Sequence, residues 1–301
     1  MIIEQLPALL PCLRRLLGIA CCLVVIPVAA TTIALPRPKT ADDQRDAYPW
    51  ALLRLALDKS GAQYQFKFAP VIMTQERVLL EIEKENGSVD IVATMTSKER
   101  EERMLAVRIP IDKGLNSWRL PLVQDGRKDL FARVKDARDL SALRGVQGHD
   151  WPDTSIMRAN ALPVSTTSDY ESMFRMLAAG RVDYFPRSIM EIFPEAAVHR
   201  AVVVDRHIAL HYPAATYFFV NRNKTQLADA LRRGLEAAIT DGSFDNLFNR
   251  HFAQAIRLAR MDERQVIELR NPLLPDGLPA EHQHMLIKFN DVRRVKADVK
   301  Q

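Results

Sequence analysis

SDYESMFRMLAAGRVDYFPRS occupies residues 168–188. Its first half reads as a helix. Ser168 and Glu171 stand at capping-box spacing, and Tyr170, Met173, Phe174, Leu177 and Ala178 form one apolar stripe of period 3.6. Gly180 ends it, since glycine enters the left-handed region that closes a helix at no steric cost. The run RVDYFP that follows reads as a strand and delivers Pro186 and Arg187 at its tip. Helix, glycine stop, apolar strand is the unit of a layered α/β fold.

The same unit recurs on both sides. TTIALP (31–36) is a strand candidate, and the helix after it holds Pro49 in its first turn, Leu52, Leu53, Ala56 and Leu57 on one face, and Gly61 at its end. YQFKFAPV (64–71) alternates like a strand, TQERVLLEIEKENG (74–87) like an amphipathic helix, and VDIVATMT (89–96) is an apolar run of the buried-strand type. KEREER (98–103) continues as a polar helical turn and MLAVRIPI (104–111) as a strand. WRLPLV (118–123), RGVQGHD (144–150), AVVVDRHIAL (201–210) and ATYFFVNRN (215–223) supply further strands. KDLFARVKDARDLSAL (128–143), SIMEIFPEAA (188–197), the helix with Leu227, Leu231, Leu235 and Ile239 aligned, and SFDNLFNRHF (243–252) supply helices. Two blocks of alternation imply two lobes, each with a mostly parallel sheet flanked by helices. From about Gln265 the pattern weakens into a proline-containing tail.

The chain has 301 residues, 48% hydrophobic and 26% charged, with a formal net charge of +5. That is ordinary globular composition. The small positive excess comes with no nucleic-acid signature, so no nucleic-acid partner is expected. Residues 1–30 differ. LLGIACCLVVIPVAA (16–30) is a 15-residue apolar run after Arg14 and Arg15, ending on small residues. It is short for a membrane span, which takes about 20 residues, and fits a cleaved export signal, placing the mature chain in the periplasm. All three cysteines (Cys12, Cys21, Cys22) fall inside it, so the mature chain has no thiol nucleophile or thiolate ligand. Among longer motifs there is no HExxH, no GxSxG and no glycine-rich phosphate loop. No cofactor or metal is expected, and no enzyme activity.

VDIVATMTSKER (89–100), RIPIDKGLNSWRLPLV (108–123), RGVQGHDWPDT (144–154), AAGRVDYF (178–185) and ATYFFVNRN with the closing DGSFDNLFNRHF helix follow one another in an order that resembles the type II periplasmic solute-binding proteins of the amino-acid (family 3) kind. The resemblance covers roughly residues 31–255. It implies two lobes joined by two hinge strands: residues 31–115 and 217–262 in the first lobe, 116–216 in the second, and 263–301 as a C-terminal tail. It also implies a small ligand in the cleft, hinge closure over it, a monomer, and recognition of the closed form by a membrane ABC permease or a sensor receptor.

The same resemblance singles out residues. Arg100, with Thr94, Thr96 and Ser97, matches the positions that take a ligand carboxylate, a task suited to a planar guanidinium with parallel donors. The alternative for Arg100 is a surface pairing with Glu99 or Glu102. Trp151, at a helix start, either stacks on a ligand or packs in the core, and Asp153 either touches ligand or answers the helix dipole. Where amino-acid binders carry an aspartate for the ligand ammonium, this chain has Arg187 or Ser188. Arg187 therefore either grips a second anionic group, which makes the expected solute an anionic, carboxylate-bearing one bridging Arg100 and Arg187, or pairs with Glu191 or Glu195. Tyr184 lines the same wall or packs inside. Arg45 and Tyr48, in DDQRDAYPW (42–50), are further ligand candidates from the first cleft loop. The second reading is a periplasmic enzyme of the cyclohexadienyl-dehydratase kind, which needs a general acid from among Asp153, Glu191 or a cleft tyrosine. A third is a sensory or interaction module.

Overall fold

The computed structural model describes residues 31–38, 46–274, 280–289 and 293–296. The export signal expected at residues 1–30 and the candidate Arg45 lie outside the described residues.

The first lobe opens with β1 (Thr31–Leu35), α1 (Ala47–Lys59), β2 (Tyr64–Phe68), α2 (Gln75–Glu83), β3 (Ile91–Met95), α3 (Lys98–Arg103) and β4 (Leu105–Val107). Strand β5 (Trp118–Gln124) leads into the second lobe. There follow α4 (Ala137–Leu140), β6 (Gly145–Gly148), α5 (Pro152–Ala159), β7 (Val164–Thr167), α6 (Tyr170–Ala178), β8 (Phe185–Ser188), α7 (Ile192–Val198), β9 (Val202–Val204) and β10 (Ile208–His211). The chain returns through β11 (Thr216–Val220), α8 (Thr225–Thr240) and α9 (Ser243–Ala259), and ends in β12 (Gln265–Glu268) and β13 (Arg293–Lys296).

Several sequence expectations shift locally. The cap of α6 is Asp169, whose carboxylate accepts the Ser172 N–H at 2.9 Å, instead of Ser168. The expected strand after Gly180 starts only at Phe185, after a bend at residues 181–183. AVVVDRHIAL is two strands, because Asp205 turns the chain by accepting the N–H groups of His207 and Ile208. Helical structure in 128–143 is confined to α4. The sheets are mixed where alternation alone implies parallel ones. Pairs β1–β2 and β6–β7 are parallel, but β11 runs antiparallel to β3 and β4, and β5 antiparallel to β8, β9 and β10. The antiparallel members are the strands next to the two crossings, which enter each sheet from the opposite lobe.

In the first lobe the order is β3-β11-β4, with β1-β2 alongside. Asp90 joins the two parts: its N–H donates to the Ala34 carbonyl and its carboxylate accepts the Ala34 N–H. Helix α1 lies across α8 so closely that a Cβ on Gly234 would sit 1.7 Å from the Ala56 carbonyl oxygen. In the second lobe the order is β13-β12-β10-β5-β8 with β9 also on β5, and β6 joins β8 through Gly145 and Tyr184.

The two crossings, around residues 111–117 and 212–216, are bonded to each other. The Ile111 N–H donates to the Thr216 carbonyl, the Tyr212 N–H to the Ser117 carbonyl, and the Thr216 hydroxyl to Asp112 at 2.7 Å. The last described segment follows the same route. After α9 the chain turns at Arg260 (φ +43°), and β12 pairs in parallel with β10. The Leu273 carbonyl then accepts the Lys98 N–H of the first lobe. Among the described residues no helix is long and apolar enough to cross a membrane, and no group of three or more potential metal ligands gathers.

Candidate functional site

The cleft between the lobes is built from the starts of three helices. On the first-lobe side β3 ends at Met95, and Ser97 caps α3 by accepting the Arg100 N–H at 3.2 Å. That cap turns the helix so that Arg100 points back under β3. Its side chain is buried. Nη1 donates to Thr94 Oγ1 at 2.8 Å and to the Met95 carbonyl at 2.7 Å, and Nη2 donates to Gln75 Oε1 at 2.7 Å. An arginine has five N–H donors, so two remain open among the described residues. Burial pulls the Arg100 pKa down to about 10, against the opposing pull of Glu99, Asp150 and Asp153. It stays charged at neutral pH. The last two carboxylates belong to the second lobe, near enough to act on the Arg100 charge. Thr94, Ser97 and Arg100 therefore come together as the sequence suggests. Thr96 does not join them: its hydroxyl is turned to Glu101 Oε1 at 2.5 Å.

On the second-lobe side Gly148 ends β6, and Trp151 and Pro152 start α5. Asp150 Oδ2 accepts the N–H of Glu76, at the start of α2, at 3.1 Å. Asp153, in the first turn of α5, is buried. Its Oδ2 accepts from Arg119 Nη2 at 3.3 Å and its Oδ1 from the Tyr212 hydroxyl at 2.5 Å. Arg119 also donates Nε to the Tyr212 oxygen at 2.6 Å. Burial opposes the Arg119 charge, but Asp153, Tyr212 and Glu191 outweigh it and raise its pKa. Arg119 lies on β5 just after the first crossing, and Tyr212 opens the second just after β10. Asp153 is thus bonded to residues beside both crossings, which anchors α5. Sequence reasoning missed both partners. The available signal was an arginine inside the apolar run WRLPLV, because a charge in a buried strand needs a counter-charge.

Arg187 leaves the end of β8 and is buried. Its Nε and Nη2 bind the two Glu195 oxygens at 2.7 and 2.6 Å, and Nη2 lies 3.0 Å from Glu191. The guanidinium stacks over the Trp151 ring, 5.0 Å from its centroid, and the Tyr170 hydroxyl donates to Glu195 at 2.5 Å. Burial works against this charge, and Glu191 and Glu195 hold its pKa well above the ordinary value. Arg187 is therefore not an open anion anchor facing Arg100. Two carboxylates already neutralise it. Trp151, half-buried beneath it, packs against Gly148, where a Cβ would sit 2.6 Å from the indole.

Two further candidates belong to the interior. Tyr184 is fully buried, edge-on to Phe131 at 5.5 Å and packed with Met157 and Leu162. Its position three residues before Arg187 puts the two on opposite faces of a strand, whose side chains alternate. Tyr48 donates to the Ile111 carbonyl at 2.5 Å and packs against Phe248 and Phe252 in the core of the first lobe.

No family model matches the chain, and no curated protein does. Solved structures do. An ancestral arginine-binding protein bound to arginine superposes with a TM-score of 0.57 at 15% identity, covering 73% of this chain and 98% of that one. The fold is that of the type II periplasmic binding proteins. A periplasmic His/Glu/Gln/Arg/opine family-binding protein from Silicibacter pomeroyi in complex with lysine gives 0.56 at 10% identity, covering 74% and 96%. An ancestral amino-acid-binding protein, a precursor of cyclohexadienyl dehydratase, gives 0.55 at 16%, covering 74% and 95%.

Proposed function

We propose that this chain is a solute-binding protein that captures a small carboxylate-bearing solute in the interlobe cleft and presents the closed form to a membrane partner. The observation that carries the reading is Arg100: buried, charged, positioned by Ser97, Thr94 and Gln75, and with two N–H donors open. A carboxylate offers the two oxygens such donors fit.

The far end of the solute is neutral or cationic in this reading. A solute anionic at both ends, the expectation from the sequence, needs Arg187 as its second anchor, and Glu195 and Glu191 occupy that guanidinium. The wall opposite Arg100 carries Asp150 and Asp153, which act on it electrostatically. Neighbours bound to arginine and lysine fit the same pattern. The partner is an ABC importer or a sensor receptor, and the apolar run of residues 16–30 places the mature chain in the periplasm. Enzymatic use of the cleft is disfavoured, since Asp153 and Glu191, the acids such chemistry would call on, are both held by arginines.

A thermal-shift screen of amino acids, organic acids and peptides tests this. A hit raises the melting temperature of the wild type and not of Arg100→Ala. An equal rise in both sinks the assignment of Arg100.

A further inference from the structure

Asp150 stands on the turn between β6 and α5, and its side chain is only 6% exposed. The charge of so buried a carboxylate needs donors. The hydrogen-bond donor it meets is on the other lobe: the Glu76 N–H, 3.1 Å from Oδ2. That N–H belongs to the first turn of α2, which a helix leaves without an internal acceptor. Thr74 caps the next amide, Arg77, from within the first lobe. Asp150 thus completes the cap of α2 from across the cleft, at the positive end of the helix dipole. Gln75, the residue before Glu76, is the one that holds Arg100 Nη2, and Asp150 acts electrostatically on Arg100 itself. A carboxylate of the second lobe is therefore seated among the first-lobe groups that attract anions.

We infer that Asp150 is a tethered carboxylate that latches the second lobe to the first by binding the α2 start beside Arg100. Resting on the reading of the cleft as a carboxylate site, this makes Asp150 the group with which an incoming carboxylate competes for the first lobe. Solute entry begins with release of the Asp150 bond.

The test needs no solute, so it fails or succeeds independently of the screen above. In the full chain, Cys12, Cys21 and Cys22, the only cysteines, are changed to serine. Spin labels are placed through Glu85→Cys in the first lobe and Arg138→Cys in the second, both exposed positions. Pulsed dipolar spectroscopy then gives the interlobe distance. Wild type is expected to show one short distance, and Asp150→Asn and Asp150→Ala a shift of population to a longer one. Glu76→Pro, which deletes the donor at a first-turn position that tolerates proline, is expected to give the same shift. Combining it with Asp150→Ala should add nothing. Coincident distributions in wild type and Asp150→Ala overturn the latch, as does a Glu76→Pro protein that stays closed.

Discussion

Arg187 and Glu195 form a two-point ion pair inside the second lobe, 2.7 Å from Nε to one oxygen and 2.6 Å from Nη2 to the other. Glu191 approaches the same guanidinium at 3.0 Å, and the Trp151 and Tyr170 rings lie around it. The arrangement takes an arginine that sequence order puts at the cleft and makes it the centre of a neutralised internal cluster.

Removing one partner of a buried pair leaves the other charge unpaired, which costs about 3–5 kcal/mol. Arg187→Ala should lose stability on that scale in urea titrations, because both Glu195 and Glu191 are left behind. Arg187→Ala combined with Glu195→Gln should recover part of it. A loss below about 1 kcal/mol, the value of an exposed pair, contradicts the buried-cluster account.

How much of this was legible beforehand divides along sequence separation. The stripe of α6 and the Thr94–Arg100 stretch are local patterns: the stripe is buried as periodicity predicts, and Thr94, Ser97 and Arg100 bond to one another while Thr96 turns to Glu101. The Asp153 clamp was not legible, because Arg119 is 34 residues away and Tyr212 is 59, on strands that meet only after both lobes form. Tyr184 could have been assigned correctly. Three residues along a strand reverses the face, so it and Arg187 could not both have lined the cleft. Tyr48 looked like a cleft residue because DDQRDAYPW falls where the resemblance puts the first cleft loop, yet its ring follows the apolar face of α1 into the core.

Gly148 is the reason Trp151 can lie flat at the start of α5. A Cβ there would come within 2.6 Å of the indole, and the ring cannot simply swing away with the Arg187 guanidinium stacked above it. Gly148→Ala should destabilise by about 1–3 kcal/mol, as overpacking does, and shift tryptophan fluorescence. Unchanged emission and stability would show that Trp151 is looser than its contacts indicate.

Glu81 closes the far end of α2, the helix whose start holds Gln75. Lys84 and then the Ser88 N–H and hydroxyl bond its charged form, and they lower its pKa to about 2 in spite of burial. A depressed carboxyl contributes stability that is complete above the unfolded value of about 4.3 and is lost as pH falls toward the folded one. The stability gap between wild type and Glu81→Gln should therefore be full at pH 7 and shrink between about pH 4.3 and 2, read as urea midpoints across that range. A gap independent of pH refutes the linkage.

The clamp on Asp153 separates a scaffold role from a contact role. Tyr212→Phe removes a hydroxyl that donates to Asp153 and accepts from Arg119, so it should cost about 1–3 kcal/mol. Asp153→Ala leaves the buried Arg119 with Glu191, 3.7 Å away, as its one counter-charge among the described residues, and should cost more, about 3–5 kcal/mol. If Asp153 serves only to fix α5 to the hinge strands, Asp153→Asn, which keeps the shape and can still accept from Tyr212, should bind a solute found in the screen as tightly as wild type while unfolding at lower urea. A carboxylate that contacts the solute's cationic end reverses this. Asp153→Asn then loses affinity out of proportion to stability, and Tyr212→Phe does not. Isothermal titration of the two variants beside urea titration decides between them, because each role moves a different one of the two measurements.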